Sequence, residues 1–415
     1  MRSNGTHVEA LGMQQVVIIG AGHAGFQCAA SLRQEGFGGN IVLLGDEDCL
    51  PYQRPPLSKA YLLAKAKASD LLFRPERFFD EHRVQLMQAR AEYIDRQAQR
   101  VALQSGESIS YDHLVIATGS SPRKIALEGA ALDGVLSLQT LSDASGLRER
   151  LLASRRAVVV GAGFIGLEFA AVARTLGLDV TVVDVADRAL ARAASAECAQ
   201  VVVESHVQSG TRLLFQCGIS AFEGRNRKIA AVRTVDGQEL PADIVVVGIG
   251  AEPRTQLAVR AGLAVENGIS VDEQLVSSDS AISAIGDVAG FPDQVSGRRI
   301  RLESVQNASD QARSVAARLV GKAVSHNPVP WFWSDQGDLK LQIAGLRAAD
   351  DEHVVLAESH SRARTVLCIR NERLAAVETI NRAGDHMLAR RLLAKAVHVT
   401  GAQARTPGFQ LKDLS

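Results

Sequence analysis

The sequence predicts an α/β protein built around two Rossmann-like dinucleotide-binding units, with a C-terminal α+β segment behind them. Three observations carry this reading. A strand–glycine loop–helix–strand pattern occurs twice. Further apolar runs, each ending in small residues, follow each copy. At 415 residues the chain is too long for one ordinary core and calls for two or three domains. With 46% hydrophobic and 22% charged residues, its composition is that of an ordinary globular protein. Lys plus Arg (46) cancels Asp plus Glu (46), which argues against bulk affinity for nucleic acid or membrane.

The first copy is VVIIGAGHAGFQCAASLRQEGFGGNIVLLGDE, Val16 to Glu47, and the second is AVVVGAGFIGLEFAAVARTLGLDVTVVDVAD, Ala157 to Asp187. Their apolar runs read as buried parallel strands. Gly20 and Gly161 allow the tight turn, and Gly22 and Gly163 let backbone approach a pyrophosphate. Gly25 and Gly166 let the helix pack close to its strand. The helix N-terminus offers unpaired N–H groups to phosphate. An acid after the second strand accepts ribose hydroxyls: Asp46 in the first unit, with Glu47 and Asp48 as weaker candidates, and Asp184 in the second. One G-x-G-x-x-G is weak evidence, but two in full βαβ context are strong. They imply two dinucleotides, most simply FAD and a nicotinamide. Asp184 repels a 2′-phosphate and so predicts a preference for NADH, which Arg188, four residues on, would blur.

Other punctuation follows in order. YDHLVIATGSSPR (111–123) and DIVVVGIGAEPR (243–254) read as strands feeding small-residue loops. RTVDGQEL (233–240) reads as a hairpin. SAISAIGDVAG (280–290) ends an apolar run on Gly286-Asp287, where an aspartate can bond a ribityl hydroxyl while a following helix faces the pyrophosphate. TVLCIRNERLAAVETI (365–380) reads as strand, turn, strand, and GDHMLARRLLAKAV as an amphipathic helix. Cys28, Cys49, Cys198, Cys217 and Cys368 form no C-x-x-C or C-x4-C pair, so neither a disulfide framework nor a zinc site is expected. The ten histidines show no metal-like spacing. The first dozen residues lack a signal-peptide core and read as a disordered lead-in or an expression remnant. No run approaches the roughly 18 to 20 apolar residues of a membrane span, so a cytoplasmic protein is expected.

The series G-x-G-x-x-G, ATG, G-x-G-x-x-G, GIG, GD, with GDEDCLPYQRPPLSKAYL, LESVQNASDQAR and PWFWSDQ, resembles the FAD-dependent NADH:ferredoxin reductases. Within them the chain is similar to the oxygenase-coupled group of putidaredoxin reductase and rubredoxin reductase, from Val16 to about Lys395. The resemblance implies a glutathione-reductase-like fold in three domains: FAD-binding, 8–120 plus 248–322; NAD-binding, 121–247; C-terminal, 323–415. It implies an FAD site of Gly20, Gly22, Ala24 and Gly25 at the pyrophosphate, Asp46 at the adenosine ribose and Glu92 lending backbone to the adenine. Lys59 would lie near the reactive ring edge, Asp287 at the ribityl chain and Val305 at the pyrimidine. Where relatives can carry an arginine, Gln139 places a neutral amide. The NAD set is Gly161, Gly163, Ile165, Gly166, Glu168, Asp184 and Gly250.

The chemistry expected is hydride transfer from NADH to FAD, then single electrons to an iron–sulfur partner, a 2Fe–2S ferredoxin feeding an oxygenase such as a cytochrome P450. A fixed ammonium at Lys59 would stabilise negative charge arriving on the ring. Glu168 either holds the nicotinamide carboxamide, pairs with Lys59, or merely complements the helix dipole. Trp333 either covers the flavin's dimethylbenzene side or joins Trp331 in a core cluster. Arg298, Arg299, Arg301 and Arg313 are candidates for an acidic partner's landing patch, or a solvated charge run. Two rivals stand beside this reading. One is an NADH oxidase or peroxidase using Cys49; the other is a non-catalytic flavoprotein scaffold.

Overall fold

A computed structural model describes residues 14–293, 297–323, 325–356 and 362–415. The proposed N-terminal lead-in lies outside them. The chain forms two compact units. One holds the chain up to Gln53, Leu72–Ser121 and Glu252–Pro328; the other holds Arg54–Leu71, Pro122–Ala251 and Val329–Ser415. The division differs from the boundaries drawn on the sequence at one place that matters. The proline-rich segment from Arg54 to Leu71, assigned by sequence to the FAD domain, packs with the second unit.

The first unit is built on a parallel sheet whose strands run, side by side, Ile282–Ala284, His113–Ile116, Gln15–Ile19, Asn40–Gly45 and Val84–Gln88. The first strand in sequence lies at the centre, and the chain leaves it toward both sides. The carboxyl end of that strand is therefore the point where an open α/β sheet leaves a crevice for a ligand. Continuous apolar strands suit a sheet covered on both faces; Val16, Val17 and Ile18 are fully buried. The helix His23–Gln34 lays Ala24, Cys28 and Leu32 on its buried side at four-residue spacing. It stops before Gly36, whose φ of +90° ends the helix.

In the second unit, a parallel sheet orders Arg212–Leu214, Asp179–Val183, Arg156–Val160, Ile244–Val247 and Val135–Leu136. Its glycine-loop helix, Phe164–Thr175, has the same 12-residue length as its counterpart and stops before Gly177 at φ +87°. The hairpin expected at 233–240 forms between Lys228–Thr234 and Glu239–Pro241. The C-terminal part is an antiparallel sheet, Trp331–Gln336, Leu339–Gly345, Arg373–Ile380, Arg364–Arg370 and Glu352–Val355, with the helix Ala383–Ala394 against it.

One local expectation fails. No α-helix follows Asp287 directly. Gly286–Val288 is a single 3-10 turn and Ala289–Pro292 returns as a strand. The next α-helix starts at Val305, capped by the Ser304 side chain.

Candidate functional site: two glycine cradles and a buried ion pair

In the first unit the three glycines of the loop do three different jobs. Gly20 has φ +110°, and a Cβ there would run into the carbonyl of Ala117. A Cβ on Gly25 would strike the carbonyl of Gly20, so the helix lies as close to its loop as backbone allows. A Cβ on Gly22 would meet nothing within 4 Å. Gly22 thus leaves open space in front of the helix N-terminus, where first-turn N–H groups lack helical partners. Gly286 closes one side: a Cβ there would lie 3.0 Å from that of Ala24. The adjacent Asp287 accepts from Ser120 Oγ at 3.0 Å. Gly286 N–H donates to Gln311 Oε1 at 2.7 Å, tying the turn to the helix Val305–Leu319. Val305 is the first residue of that helix, so its N–H belongs to the first-turn set as well. Asp46 is exposed, one residue past its strand. Glu92 falls at the register shift between Ala91 and Tyr93, which leaves its backbone outside the ladder; Arg260 approaches its carbonyl at 3.4 Å.

The second unit repeats the construction. Gly161 has φ +109° and would collide with the Gly248 carbonyl, Gly166 with the Gly161 carbonyl, and Gly163 faces open space. Gly250, at φ +104°, follows the adjacent strand. Ile165 stands half exposed beside the open face. Asp184 does more than end its strand. It accepts the Ala162 N–H at 2.6 Å and the Ala186 N–H at 2.8 Å, so the acid also shapes the loop. Arg188 is tied down instead: its guanidinium donates to the carbonyls of Ala189, Ala191 and Ala194 at 3.0–3.1 Å. The cation that would have blurred a preference for NADH is engaged in holding its own loop.

Between the second glycine helix and the proline-rich segment lies a buried ion pair. Pro55–Ser58 forms a 3-10 turn that the prolines stiffen, and Lys59 leaves it at φ −132°, ψ −101°. Lys59 Nζ reaches Glu168 Oε2 at 2.7 Å and the Pro55 carbonyl at 3.0 Å. The Lys59 side chain is 21% exposed and that of Glu168 6%. Glu168 Oε2 also accepts from Ser58 Oγ at 2.5 Å, and Oε1 from Ser334 Oγ at 2.6 Å. The pairing alternative for Glu168 is the geometry present. The residue is the fifth of its helix, beyond the first turn. A dipole contribution fades over that distance, so the three side-chain donors explain its burial.

Residues beyond the sequence reading complete the neighbourhood. Arg54 Nη1 donates to the Gln139 carbonyl at 2.8 Å. Arg54 therefore brings a guanidinium to the main chain at Gln139. Its signal was visible in the R of QRPPLSK. Ser334 and Gln336 were legible only as alternate positions of WFWSDQ, whose period-2 pattern puts them on one strand face with Phe332. That face packs on the glycine helix: the rings of Phe332 and Phe164 lie 4.5 Å apart, tilted by 38°. Trp331 belongs to the C-terminal core, with Arg390 4.7 Å above its ring and His386 at 5.4 Å. Trp333 is 5.5 Å from Trp331 and half-buried.

Two of the proposed landing-patch arginines serve the fold. Arg299 donates to the carbonyls of Val271 and Gly290. Arg301, 10% exposed, bonds Asn267, the Asp287 carbonyl and Glu303. Arg313 remains more than half exposed beside Asp310. Burial raises the thiols of Cys28 (to about 12), Cys198 and Cys368, which keeps them protonated and inert. Cys49 is exposed.

The chain is similar to known proteins over nearly its whole length. The family described as pyridine nucleotide-disulphide oxidoreductase matches residues 14–312, and that described as reductase C-terminal matches residues 331–415. Rhodocoxin reductase of Rhodococcus erythropolis is 46% identical over 398 residues, covering 96% of this chain and 93% of that protein. The ferredoxin reductase for the CYP199A2 system of Rhodopseudomonas palustris superposes with a TM-score of 0.94 at 46% identity, covering 96% of this chain and 99% of that one. The covalent putidaredoxin reductase–putidaredoxin complex superposes with a TM-score of 0.93 at 37% identity, covering 97% and 98%.

Proposed function

Because the chain belongs to the pyridine nucleotide-disulphide oxidoreductase family and ends in a reductase C-terminal domain, we propose that it is an FAD-dependent ferredoxin reductase. It draws electrons from NADH and passes them singly to a 2Fe–2S ferredoxin that serves an oxygenase such as a cytochrome P450. The observation that supports this most is the doubled cradle, one per unit, each leaving open space at its second glycine. Two cradles in one chain suit two dinucleotides that exchange electrons.

Gly20, Gly22, Ala24 and Gly25 hold the FAD pyrophosphate, Asp46 the adenosine ribose and Glu92 the adenine through backbone. Asp287 takes the ribityl chain and the Val305 N–H the pyrimidine. Arg54, seated on the Gln139 carbonyl, supplies the positive charge at that point. Bound FAD supplies the step from a two-electron donor to a one-electron acceptor. The chain's own groups orient and stabilise. Gly161, Gly163, Ile165, Gly166 and Gly250 seat the NADH, and Asp184 accepts the adenosine ribose hydroxyls. Lys59, fixed by Glu168, offers an ammonium where negative charge develops. Trp333 covers the ring's apolar side. No cysteine lies between Cys49 and Cys198, so no thiol pair relays electrons from this segment.

An acidic ferredoxin would meet Arg313 among the remaining exposed cations. Composition and the lack of any membrane-length apolar helix among the described residues favour the cytoplasm as its place. The test is NADH-driven reduction of cytochrome c with and without an added 2Fe–2S ferredoxin. Strict dependence on ferredoxin is expected. Rapid peroxide turnover that Cys49→Ser abolishes would replace this reading with a peroxidase.

A further inference from the structure

We propose that Ser334 and Gln336 of the C-terminal domain are positioning residues for the Lys59–Glu168 pair, so that this domain sets where the Lys59 ammonium is held. The inference rests on the function proposed above. It starts from a chain of hydrogen bonds within the second unit whose direction is forced. Glu168 Oε1 is a carboxylate oxygen and can only accept while ionised, so Ser334 Oγ donates to it at 2.6 Å. The same hydroxyl accepts from Gln336 Nε2 at 2.8 Å. The second hydrogen of that amide goes to the Phe164 carbonyl at 3.2 Å, which fixes the amide's orientation. Gln336 Oε1 is then an acceptor, and His206 Nε2 supplies the proton at 3.2 Å. Burial holds His206 below the ordinary imidazole range, so it remains a neutral donor.

Every member is buried: Glu168, Ser334, Gln336 and His206 are each no more than 5% exposed. Along this line each group donates to the next, from His206 through Gln336 and Ser334 to Glu168. On its other oxygen Glu168 gathers Ser58 Oγ and Lys59 Nζ. The carboxylate thus faces the ammonium with its second oxygen already satisfied. Without the Ser334 hydroxyl that oxygen would be a buried, unpaired acceptor. Glu168 would turn to recover a partner, and Lys59 would lose its fixed position. Sequence separation makes the coupling informative. Ser334 and Glu168 are 166 residues apart in sequence, yet the strand Trp331–Gln336 and the glycine helix Phe164–Thr175 meet through two polar contacts, Ser334 on Glu168 and Gln336 on the Phe164 carbonyl.

The experiment compares Ser334→Ala, Ser334→Thr, Gln336→Met, Glu168→Ala and the Ser334→Ala/Glu168→Ala double variant, all as FAD-loaded full chains. Stopped flow gives the limiting rate of flavin reduction by NADH. Competitive acetylation read by mass spectrometry gives the reactivity of the Lys59 amine, which does not depend on turnover. Titration with NAD gives cofactor affinity. Ser334→Ala should lower the limiting rate about tenfold, leave NAD affinity within about twofold, and raise Lys59 acetylation severalfold. Gln336→Met should act in the same direction more weakly. Ser334→Thr, which keeps the hydroxyl, should restore both rate and protection. The double variant should be no slower than Glu168→Ala alone. Wild-type rate and wild-type Lys59 protection in Ser334→Ala would overturn the proposal. So would losses that add in the double variant, or a threonine variant as impaired as the alanine one. Failure of the wild-type protein to be reduced by NADH would instead refute the underlying reading of function.

Discussion

Glu168 collects three side-chain donors in a nearly closed environment, while Lys59 keeps one edge toward solvent. Deleting the acid leaves those donors facing one another. Glu168→Ala should therefore slow flavin reduction by NADH at least about tenfold in stopped flow, the size expected when a preorganised charge is lost from a reacting centre. An unchanged rate with unchanged NADH affinity would remove the pair from the mechanism. We attribute the choice between NADH and NADPH to another single residue. Asp184 sits against the glycine loop through the Ala162 N–H, while Arg188 is spent on three carbonyls. We expect kcat/KM for NADH to exceed that for NADPH, and Asp184→Asn to narrow the ratio about tenfold or more by removing the repelling charge. A ratio that Asp184→Asn does not move would contradict this. At this scale the Lys59–Glu168 pairing was legible as one of the alternatives the motifs offered. Ser58 and Ser334 were not, because each acts through Glu168, a partner remote in sequence.

The two glycine-loop helices show what was legible at the scale of elements. Spacing alone fixed where each starts, and Gly36 and Gly177 mark where each stops. Spacing could not show that Asp287 is followed by a single turn, since a strand end beside glycine is compatible with either a turn or a helix. The tight loop is brittle. Gly20→Ala would force a side chain into positive φ and against the Ala117 carbonyl. It should be purified with little bound flavin, whereas Gly36→Ala, which meets no neighbour and strains only its own φ, should retain FAD. A second element-level joint is Glu378, fully buried in the strand Arg373–Ile380. It accepts the Ser195 N–H at 2.9 Å and the Ser195 hydroxyl at 2.5 Å, at the start of the helix Ala196–Gln208. Arg347 lies 3.6 Å from it. Replacing a buried paired charge costs about 3–5 kcal/mol when the partner is left behind. Glu378→Gln should thus lower Tm by several degrees, while the wild-type Tm in that variant would show the joint to be dispensable.

Across the whole molecule, several buried imidazoles set the response to pH. Burial pushes His326 and His386 down to about 4, and His113, beside Arg318, to about 3. The unfolded chain takes up those protons near 6.5, the folded chain far lower. Their contribution to stability is complete above about pH 6.5 and is lost progressively as pH falls from there toward 4. Tm measured at a fixed scan rate should be flat above neutrality and fall between pH 6.5 and 4, less steeply in His326→Leu; a flat profile across that window would contradict the assignment. The overall plan, two Rossmann-like units with an α+β tail, was readable because strand, loop and helix repeat in order. The packing of Arg54–Leu71 with the second unit was not, since proline content says where a segment stiffens and nothing about where it docks. The central claim is that electrons leave NADH in pairs and leave the protein singly. Its most direct test mixes the FAD-loaded protein anaerobically with a limiting amount of NADH and excess 2Fe–2S ferredoxin, following flavin and iron–sulfur absorbance together. Flavin bleaching should precede the ferredoxin change, with two ferredoxins reduced per NADH. Flavin that bleaches and stays reduced while the ferredoxin remains oxidised would contradict it.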